Sequence, residues 1–573
     1  MKLAAYTSYS EVYGTEADED FIIKSLRKMR LSKVLTFASV LDSVLENDQE
    51  GRPLEKNTQR LLTGHMFSSQ PNIKSIILHL LEEHEFKLVF HKLQLANLSK
   101  LAILYSNEDI SNEDESIYYE RLPAILLMIS ELSEKSLERK LTGIAPQSSI
   151  EDELLTGFVI RNSGFYWRDR LLHALARNFH FYLELASEET LKKTRDYIDI
   201  ESEFNKVTGL PLLHYFSLAG AILYLHSRQS VIKNEINPTL VWVNKTNLMS
   251  DKHPQFNSAQ KMLELVSDTP DRIRNRLEQE IAETGNKWYT FGALIDKPLV
   301  RFPGEKFILL NSPFLREKTT SELYWMLFTH LKSRGYNEHL KLARFDGIIF
   351  QKYVQNMFLR LYSTNCHTEK ERCFLEQTYD RPERKSSDVH IFFGSSAIFI
   401  EVSKAQMNIR STVVSGNLQS FEKDLYKIVC ENAKQIHRSI SDFKNSMYSF
   451  EGIENNTIRD YYPVIVVPRP LPLLEPIWLQ RIEPILKRYD YLQNEFIKPL
   501  QICSVDELES IEGFLNQGHS LLKLLQDKIE ANKYGDFNSF MGGYYPGVSK
   551  QNVFIIEAFA RLGSAMREFL FPN

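Results

Sequence analysis

The sequence predicts a mixed α/β fold in which a large, mostly α-helical N-terminal region precedes a mixed sheet flanked by helices. From about residue 18 to residue 230, apolar residues recur at three- and four-residue spacing, which is the period of a helix. From about residue 341, helix-like and strand-like patterns alternate, which is typical of a sheet covered by helices. With 43% apolar and 25% charged residues, the composition is that of globular domains and excludes a mostly disordered or fibrous chain.

The 573 residues are expected to form several domains, because one domain usually takes about 150 residues. The predicted parts are an α-helical region over 1–234, a connecting α+β subdomain over 235–340, a sheet-containing domain over 341–535 and a C-terminal helical extension over 536–573. In the connecting part, the run at 240–243 is strand-like, and Pro303-Gly304 between two apolar runs predicts a hairpin.

The sheet-containing domain has a predicted order of helix, three strands, helix, strand and helix. The elements are a helix ending at Leu361, strands at about 373–379, 389–393 and 397–402, a helix at 418–443, a strand at 464–467 and a helix at 474–491. A further strand at 500–503 and a helix from 505 extend this order. Gly394-Ser395-Ser396 lies between the second and third strands, where a hairpin turn is expected.

Two acidic residues are predicted to meet across this hairpin. A turn at residues 394–396 pairs position 388 roughly with position 402, so Asp388 and Glu401 are expected at adjacent strand ends. Two carboxylates, with water and a phosphate oxygen completing the shell, suit Mg²⁺ or Mn²⁺. A plainer interpretation stays open, because strand-terminal acids and a Gly-Ser turn need no catalytic reason.

This arrangement resembles the PD-(D/E)xK nuclease superfamily over roughly residues 341–467. The core of that superfamily is helix, three strands, helix and strand, with the acid pair on the hairpin and a lysine two residues after the second acid. The segment Phe345–Val354 resembles its opening helix, Ala433-Lys434-Gln435-Ile436 resembles part of the helix that covers the site, and Tyr462–Val467 resembles the closing strand.

The resemblance implies that Asp388 and Glu401 are catalytic metal ligands and that Gln351 and Gln435 assist them. Gln351 stands where the superfamily often has a glutamate, and an amide brings no charge for a second metal ion. We therefore expect one ion. Gln435 lies at the margin of the apolar stripe of its helix, where a covering helix can present it to the site.

The usual lysine of the superfamily is displaced in this sequence. Position 403 is serine, and Lys404 follows it. Because side chains alternate across a strand, Lys404 should point away from the acids unless a bulge or the strand end follows Val402. We assign the catalytic cation to Lys404 on that condition.

Basic residues around the predicted sheet favour a nucleic-acid substrate. Residues 340–445 contain 16 Lys or Arg against 12 Asp or Glu, whereas the whole chain has a net charge of −5. At 100° per residue, Lys427 and Lys434 lie nearly opposite the apolar stripe of their helix, where they are either solvated or bound to phosphates. The candidate phosphate contacts are Lys385, Lys404, Lys427 and Lys434. Uneven surface charge without a ligand is the alternative.

These features favour a Mg²⁺-dependent endonuclease that hydrolyses phosphodiester bonds of DNA, with RNA left open as the substrate. The helical region would act as a regulator or target sensor, a plan that resembles bacterial restriction or anti-phage defence proteins. A second hypothesis is an inactive member of the same fold that acts as a binding or scaffold subunit, which the departures at 351 and 403 favour. A third is a helical interaction protein with an incidental α/β domain.

Other classes have little support in the sequence. The four cysteines include no C-x-x-C pair, and Cys366, His367 and Cys373 are followed by no second ligand pair with zinc-like spacing. No apolar run approaches the ~20 residues of a membrane-spanning helix, and no secretory apolar region follows Met1. We expect a cytoplasmic protein with reduced thiols and no membrane partner, and a protein partner subunit or a homo-oligomer stays open.

Overall fold

The chain forms two compact units in a computed structural model. The first unit comprises Met1–Leu175, Glu201–Leu327 and Leu562–Asn573, and the second comprises Ala176–Ile200 and Phe328–Arg561. The structure describes residues 5–46, 56–84, 87–110, 116–138, 171–227, 241–335, 337–364, 371–379, 384–408, 418–471, 475–531, 536–548 and 552–571.

This division differs from the one predicted from sequence. Most of the expected connecting subdomain, through Leu327, belongs to the first unit rather than forming a separate part. The segment Ala176–Ile200, which falls in the predicted N-terminal region, belongs to the second unit, and the expected C-terminal extension is divided at Arg561. The sequence predicts boundaries at 234, 340 and 535 from changes between helix-like and strand-like patterns of apolar residues. Compact units are instead defined by contacts between segments that lie far apart in sequence.

The first unit is mostly helical, as expected for the N-terminal region. Its apolar core unites early helices with later segments, for example Leu35, Leu98 and Leu126 with Ile273 and Phe314. Its helices are Tyr9–Tyr13, Glu19–Leu26, Leu31–Glu46, Lys56–Met66, Pro71–Glu83, Lys92–Tyr105, Ser116–Glu138, Leu212–Ser227, Lys245–Leu248, Phe256–Val266, Pro270–Thr284, Gly292–Asp296 and Ser312–Thr319. The helices Leu171–Phe179, Ile200–Thr208, Ser321–Arg334 and Val553–Leu570 contain residues of both units.

Two small sheets complete the first unit. One has the strand order Trp242–Asn244, Lys306–Leu309, Leu299–Phe302, Ser267–Asp268, and the other pairs Ala5–Tyr6 with Lys87–Leu88 in parallel. The predicted hairpin at Pro303-Gly304 is confirmed by the antiparallel pair that flanks it, and Gly304 takes the left-handed φ of 76°. Glycine adopts this conformation without the steric cost that a Cβ atom brings.

The second unit is built on a five-stranded mixed sheet with helices. Its main elements are α1 (Glu338–Thr364), β1 (Glu371–Leu375), β2 (Val389–Phe393), β3 (Ser396–Val402), α2 (418–444), β4 (Asp460–Val467), α3 (Glu475–Arg488), β5 (Gln501–Ser504) and α4 (Val505–Leu515). Smaller elements are His180–Glu184, Leu185–Ser187, Glu189–Lys192, the strand pair Thr378–Tyr379 and Arg384–Lys385, Asn455–Thr457, Leu521–Glu530 and Phe537–Tyr544. The predicted order of helices and strands from α1 to α4 is confirmed.

The sheet has the strand order β5-β4-β3-β2-β1, in which β1, β2 and β3 are antiparallel and β3, β4 and β5 are parallel. β3 lies at the centre, and its residues from Ser396 to Glu401 are buried. A strand covered on both faces reads as a continuous apolar run, which explains Ala397-Ile398-Phe399-Ile400. Gly394 makes the turn between β2 and β3 with a φ of 60°.

Helix α2 follows the predicted bounds closely but is not uniform. It consists of an α-helix at Leu418–Leu425, a π-helical segment at Tyr426–Cys430 and a second α-helix at Glu431–Lys444. The expected apolar stripe is buried in full, and its residues are Leu425, Val429, Ala433, Ile436, Ile440 and Phe443. Phe443 packs its ring against Phe392 of β2 and Phe399 of β3, so α2 covers one face of the sheet.

Within the described residues, no single helix has the length and apolar composition needed to cross a bilayer, although Ile200–Thr208 and Leu212–Ser227, bent by 67°, meet these criteria as a pair. Of the four cysteines, Cys373, Cys430 and Cys503 are free thiols, as expected. Cys366 and His367 lie outside the described residues.

Candidate functional site

The hairpin brings the two predicted acids together. In the pairing of β2 with β3, Val389 lies opposite Ile400, so the same register places Asp388 opposite Glu401. The sequence-based estimate, which paired position 388 with 402, was therefore wrong by one residue. Both acids are buried, with Asp388 5% and Glu401 4% exposed. Phe399 packs against Phe443 of α2, and Glu401, two residues further along the same strand, points to the same face of the sheet. Asp388 lies opposite Glu401 in the hairpin and therefore shares this face.

Three amide groups fix the position of Asp388. The Gln351 side chain on α1 donates from Nε2 to Asp388 Oδ1 at 2.5 Å, and the backbone N–H of Val402 donates to Oδ2 at 2.6 Å. Gln355, one turn further along α1, donates to the backbone carbonyl of Asp388 at 3.3 Å. The structure thus places Gln351 beside the acid pair, where the resemblance expected it.

Glu401 is held less completely than Asp388. Its Oε2 atom is buried and has no hydrogen-bond partner among the described residues. A buried oxygen of a charged carboxylate without a donor is costly, about 1–3 kcal/mol or more. Such an oxygen is satisfied either by a proton on the carboxyl group or by a bound cation.

The electrostatics of the pair favour the protonated state when no cation is present. Burial raises the pKa of Asp388 to about 7, with a further contribution from Glu376, although the N–H of Val402 acts against the shift. Burial also raises the pKa of Glu401 well above its usual value, and the neighbouring carboxylates of Asp388 and Glu376 raise it further. Ionising both of two adjacent buried carboxyl groups costs desolvation energy and adds like-charge repulsion. The pair therefore retains a proton near neutral pH.

Lys404 forms an ion pair with α1 and not with the acid pair. β3 ends at Val402, which was one of the two conditions for bringing Lys404 to the acids, but the backbone N–H of Ser403 still donates to the Val466 carbonyl at 2.8 Å. Regular alternation then turns Lys404 toward α1. There its Nζ atom lies 3.3 Å from Asp346 Oδ2.

Asp346 is a site residue that the sequence argument did not identify. It is 3% exposed, and its Oδ1 atom accepts a hydrogen bond from the Tyr182 hydroxyl at 3.0 Å. The Lys404 ammonium also lies 5.2 Å and 5.4 Å from the ring centroids of Phe350 and Phe181. Asp346 falls inside the segment compared with the opening helix, but no sequence signal connects it to Lys404 or to Tyr182.

The remaining predicted side chains form no hydrogen bond with either acid among the described residues. Lys385 is exposed and pairs with Glu376 Oε2 at 3.0 Å, while Lys427 and Lys434 are exposed on α2, as the helical geometry predicted. Gln435 is partly exposed and lies one turn before Ser439, whose hydroxyl accepts the Ser387 N–H at 2.9 Å. No hydrogen bond from Gln435 to another described residue is present.

The acid pair fits a divalent cation held by few protein ligands. Asp388 and Glu401 supply two hard oxygen donors, and the unpartnered Oε2 of Glu401 is the kind of atom that such an ion satisfies. In the described part of the chain, no group of three or more His, Cys, Asp or Glu side chains is placed to hold a metal ion. An ion at this pair would therefore keep several water or phosphate ligands, which is the usual coordination of Mg²⁺.

Fold and site together define an α/β protein with a buried carboxyl pair where two central strands meet. No family model matches the chain, no curated protein matches it in sequence, and no solved structure matches it in fold. The chemistry of the acid pair is therefore the basis on which a function is proposed.

Proposed function

We propose that the chain is a divalent-metal-dependent endonuclease that hydrolyses phosphodiester bonds, with DNA as the first candidate substrate. The observation that carries this proposal is the buried pair of Asp388 and Glu401 on neighbouring strands, with one oxygen of Glu401 unpartnered. The order of helix, three strands, helix and strand around the pair supports it, because the same order occurs in the nuclease superfamily that the sequence resembles.

In this proposal, Asp388 and Glu401 would hold one Mg²⁺ ion, and the chemistry that the ion would supply is polarisation of a phosphate and a lower pKa of a bound water. Gln351 would hold the Asp388 carboxylate in place through the hydrogen bond from its Nε2 atom to Oδ1. Because burial and mutual repulsion raise the pKa values of the pair, binding of the ion releases a proton. Cation affinity should therefore increase with pH.

One observation favours the second candidate, an inactive binding subunit. The side chain at position 403 is a serine, and the nearby ammonium of Lys404 is paired with Asp346 rather than with the acids. A nuclease of this kind normally has a cation beside its acid pair to stabilise the developing charge. If no other cation takes that role when nucleic acid binds, the site can hold an ion without catalysing cleavage.

The test is a cleavage assay with the full chain, plasmid DNA and RNA in the presence of Mg²⁺, Mn²⁺ or EDTA. The informative variants are Asp388→Asn and Glu401→Gln, which preserve volume, and the matched control is Glu431→Gln on the exposed side of α2. We expect metal-dependent cleavage that falls by at least about 10²-fold in the two site variants and stays unchanged in the control. Metal binding and DNA binding without cleavage would select the inactive subunit, and equal cleavage by all four proteins would exclude this site.

A role in restriction or anti-phage defence is a further part of the proposal and rests on the resemblance in architecture alone. It is tested by expressing the chain in bacteria and counting plaques of several phages. Protection should be lost in the Glu401→Gln protein. Equal protection by both proteins would separate defence from the acid pair.

A further inference from the structure

Three tyrosines lie at the surface of the second unit, two of them exposed and Tyr491 partly exposed. Tyr426 is 40% and Tyr489 is 50% exposed. Tyr489 and Tyr491 are stacked with their centroids 5.6 Å apart and their planes 19° from parallel. Helix α3, which ends at Arg488 directly before Tyr489, packs against the π-helical segment that begins with Tyr426. In keeping with this packing, partial desolvation and the phenols of Tyr489 and Tyr491 raise the pKa of Tyr426. We call these three residues the tyrosine patch.

The backbone that carries the patch is irregular on both of its elements. Tyr426 begins the π-helical segment of α2, and π-helical turns occur frequently at functional sites. Tyr489 and Tyr491 follow α3 in a turn where Asp490 and Leu492 have φ values of 55° and 57°. A left-handed conformation of a bulky residue such as leucine costs about 1–3 kcal/mol.

The strained turn is fixed from within the unit. The Leu492 side chain is buried, and its backbone N–H donates to His437 Nδ1 on α2 at 3.1 Å. The His437 ring in turn lies 6.0 Å from the ring of Tyr491. The fold therefore holds Tyr489 exposed and stacked on the partly buried ring of Tyr491, at a turn that includes left-handed residues.

Basic side chains flank the patch. Lys423 and Lys427 stand on either side of Tyr426 in sequence, and Arg488 directly precedes Tyr489; all three are exposed. The exposed acids Glu422, Glu431 and Asp490 lie in the same segments, so these three basic residues give no excess of positive charge. The lysines and the arginine suit phosphates, but most of the affinity of such a surface has to come from the rings.

We propose that the tyrosine patch binds unpaired nucleobases of a single strand by stacking, with Lys423, Lys427 and Arg488 on the adjoining phosphates. This inference rests on the proposed function, since it supplies the substrate class of the same unit: nucleic acid with single-stranded or frayed segments. Aromatic side chains that alternate with basic ones are the usual means of binding single strands without reading their sequence. Duplex DNA, whose bases are already stacked, has no face to offer to the patch.

The experiment measures equilibrium binding of fluorescent single strands to the full chain in EDTA, so that cleavage plays no part. The probes are a short oligothymidylate, an abasic oligonucleotide of the same length and a duplex. The variants are Tyr426→Ala/Tyr489→Ala and, as the matched control, Tyr426→Phe/Tyr489→Phe, which retains both rings. We expect the alanine protein to bind oligothymidylate about 5- to 100-fold more weakly, and the phenylalanine protein to bind it like the parent.

The abasic strand and the duplex separate stacking from charge. Their affinities should be the same for the parent and the alanine protein, because neither probe offers an unpaired base. An equal loss for all three probes, or no loss for oligothymidylate, overturns the proposal. Self-association of the parent that disappears in the alanine protein, with unchanged strand affinity, assigns the patch to a second copy of the chain instead.

The outcome is independent of the acid pair. If plasmid cleavage is absent but oligothymidylate binding depends on the two rings, the proposed nuclease function fails while the binding site stands. If cleavage depends on Glu401 but oligothymidylate binding does not depend on the rings, the nuclease function stands and this inference fails.

Discussion

At the scale of single residues, burial decides the properties of the candidate site. Asp388 accepts two amide hydrogen bonds, whereas Glu401 keeps one oxygen without a donor, although the two acids are about equally buried. Repulsion and desolvation act on both carboxyl groups, and partners offset them in part: the Val402 N–H for Asp388, and the Ser387 side chain and Arg438 for Glu401. The buried acid pair therefore lowers the stability of the fold when both groups are ionised. Such costly groups are common at sites that bind a ligand or a cation.

The first prediction concerns the pH dependence of stability without metal. Because the folded pKa of Asp388 is about 7 and that of Glu401 is also raised, the native state binds more protons than the unfolded state between about pH 4 and 7. The free energy of unfolding should therefore fall as pH rises through this window. Glu401→Gln should raise it at pH 8 by about 1–3 kcal/mol, with little effect near pH 4.

Urea denaturation of both proteins in EDTA at a series of pH values measures this difference. The Glu431→Gln protein, changed at an exposed position, should follow the parental curve. A Glu401→Gln protein that is less stable than the parent at pH 8 would contradict the raised pKa values.

The second prediction concerns Lys404. Removing its ammonium leaves Asp346 buried without a cation, so Lys404→Ala should lower the free energy of unfolding by about 1–3 kcal/mol. Asp346→Asn should be tolerated better, because Lys404 is partly exposed and the amide still accepts from Tyr182. Thermal and urea unfolding of the two proteins measure this order.

Cleavage by the same two proteins tests whether Lys404 also serves the reaction. A role as the catalytic cation, which the sequence suggested, predicts a loss of about 10²–10⁴ in Lys404→Ala under conditions where the protein is folded. The pairing with Asp346 predicts instead that the rate follows only the folded fraction, and this is the result we expect.

At the scale of elements, the hairpin between β2 and β3 is the unit that creates the site. Its turn fixes the register, and a shift of one residue would move Asp388 and Glu401 to opposite faces of the sheet. Gly394 matters because its φ of 60° disfavours every residue with a Cβ atom, even though open space surrounds the position.

The third prediction follows from this turn. Gly394→Ala should lower the free energy of unfolding by about 1–2 kcal/mol, the cost of a left-handed conformation for alanine. Gly347→Ala is the matched control, because Gly347 lies in α1, a Cβ atom there meets nothing within 4 Å, and alanine favours helix. The control should gain about 0.5–1 kcal/mol. Equal effects of the two substitutions in urea denaturation would show that backbone strain is not the cause.

At the scale of the whole molecule, charge is distributed unevenly. The chain carries a net charge of −5, whereas residues 340–445 carry 16 basic and 12 acidic side chains. An acidic protein does not bind nucleic acid indiscriminately, so binding should depend on this segment and on the exposed lysines of α2.

The fourth prediction is that DNA affinity falls with increasing salt and that exposed lysines contribute to the slope. Lys427→Ala and Lys434→Ala should each weaken binding slightly and reduce the slope of log K against log salt by about one. Asp388→Asn should leave the slope unchanged, because the acid acts on the cation rather than on phosphates. Fluorescence anisotropy over a range of salt concentrations measures these slopes, and identical slopes for all four proteins would exclude the lysines as phosphate contacts.

The sequence by itself determined the elements of the second unit and the meeting of its two acids. The strands at 389–393 and 396–402, the turn at Gly394 and the buried stripe from Leu425 to Phe443 are local patterns, because a strand repeats every two residues and a helix every 3.6. A hairpin joins neighbouring segments, so spacing brought its two ends together to within one residue, but the exact register came from the structure. The sequence also placed Lys427 and Lys434 on the exposed side of α2.

Only the tertiary structure decided which distant segments complete the site. The segment Ala176–Ile200 belongs to the second unit, where its Tyr182 hydroxyl donates a hydrogen bond to Asp346. The Ser403 N–H is hydrogen-bonded to β4, and the Lys404 side chain that follows pairs with the same aspartate. Burial, which sets the pKa of Asp388, depends on how helices cover the sheet. The patterns of a sequence report which face of an element is apolar, but they do not report which other element packs there, because many apolar surfaces are equally good partners before the chain has folded.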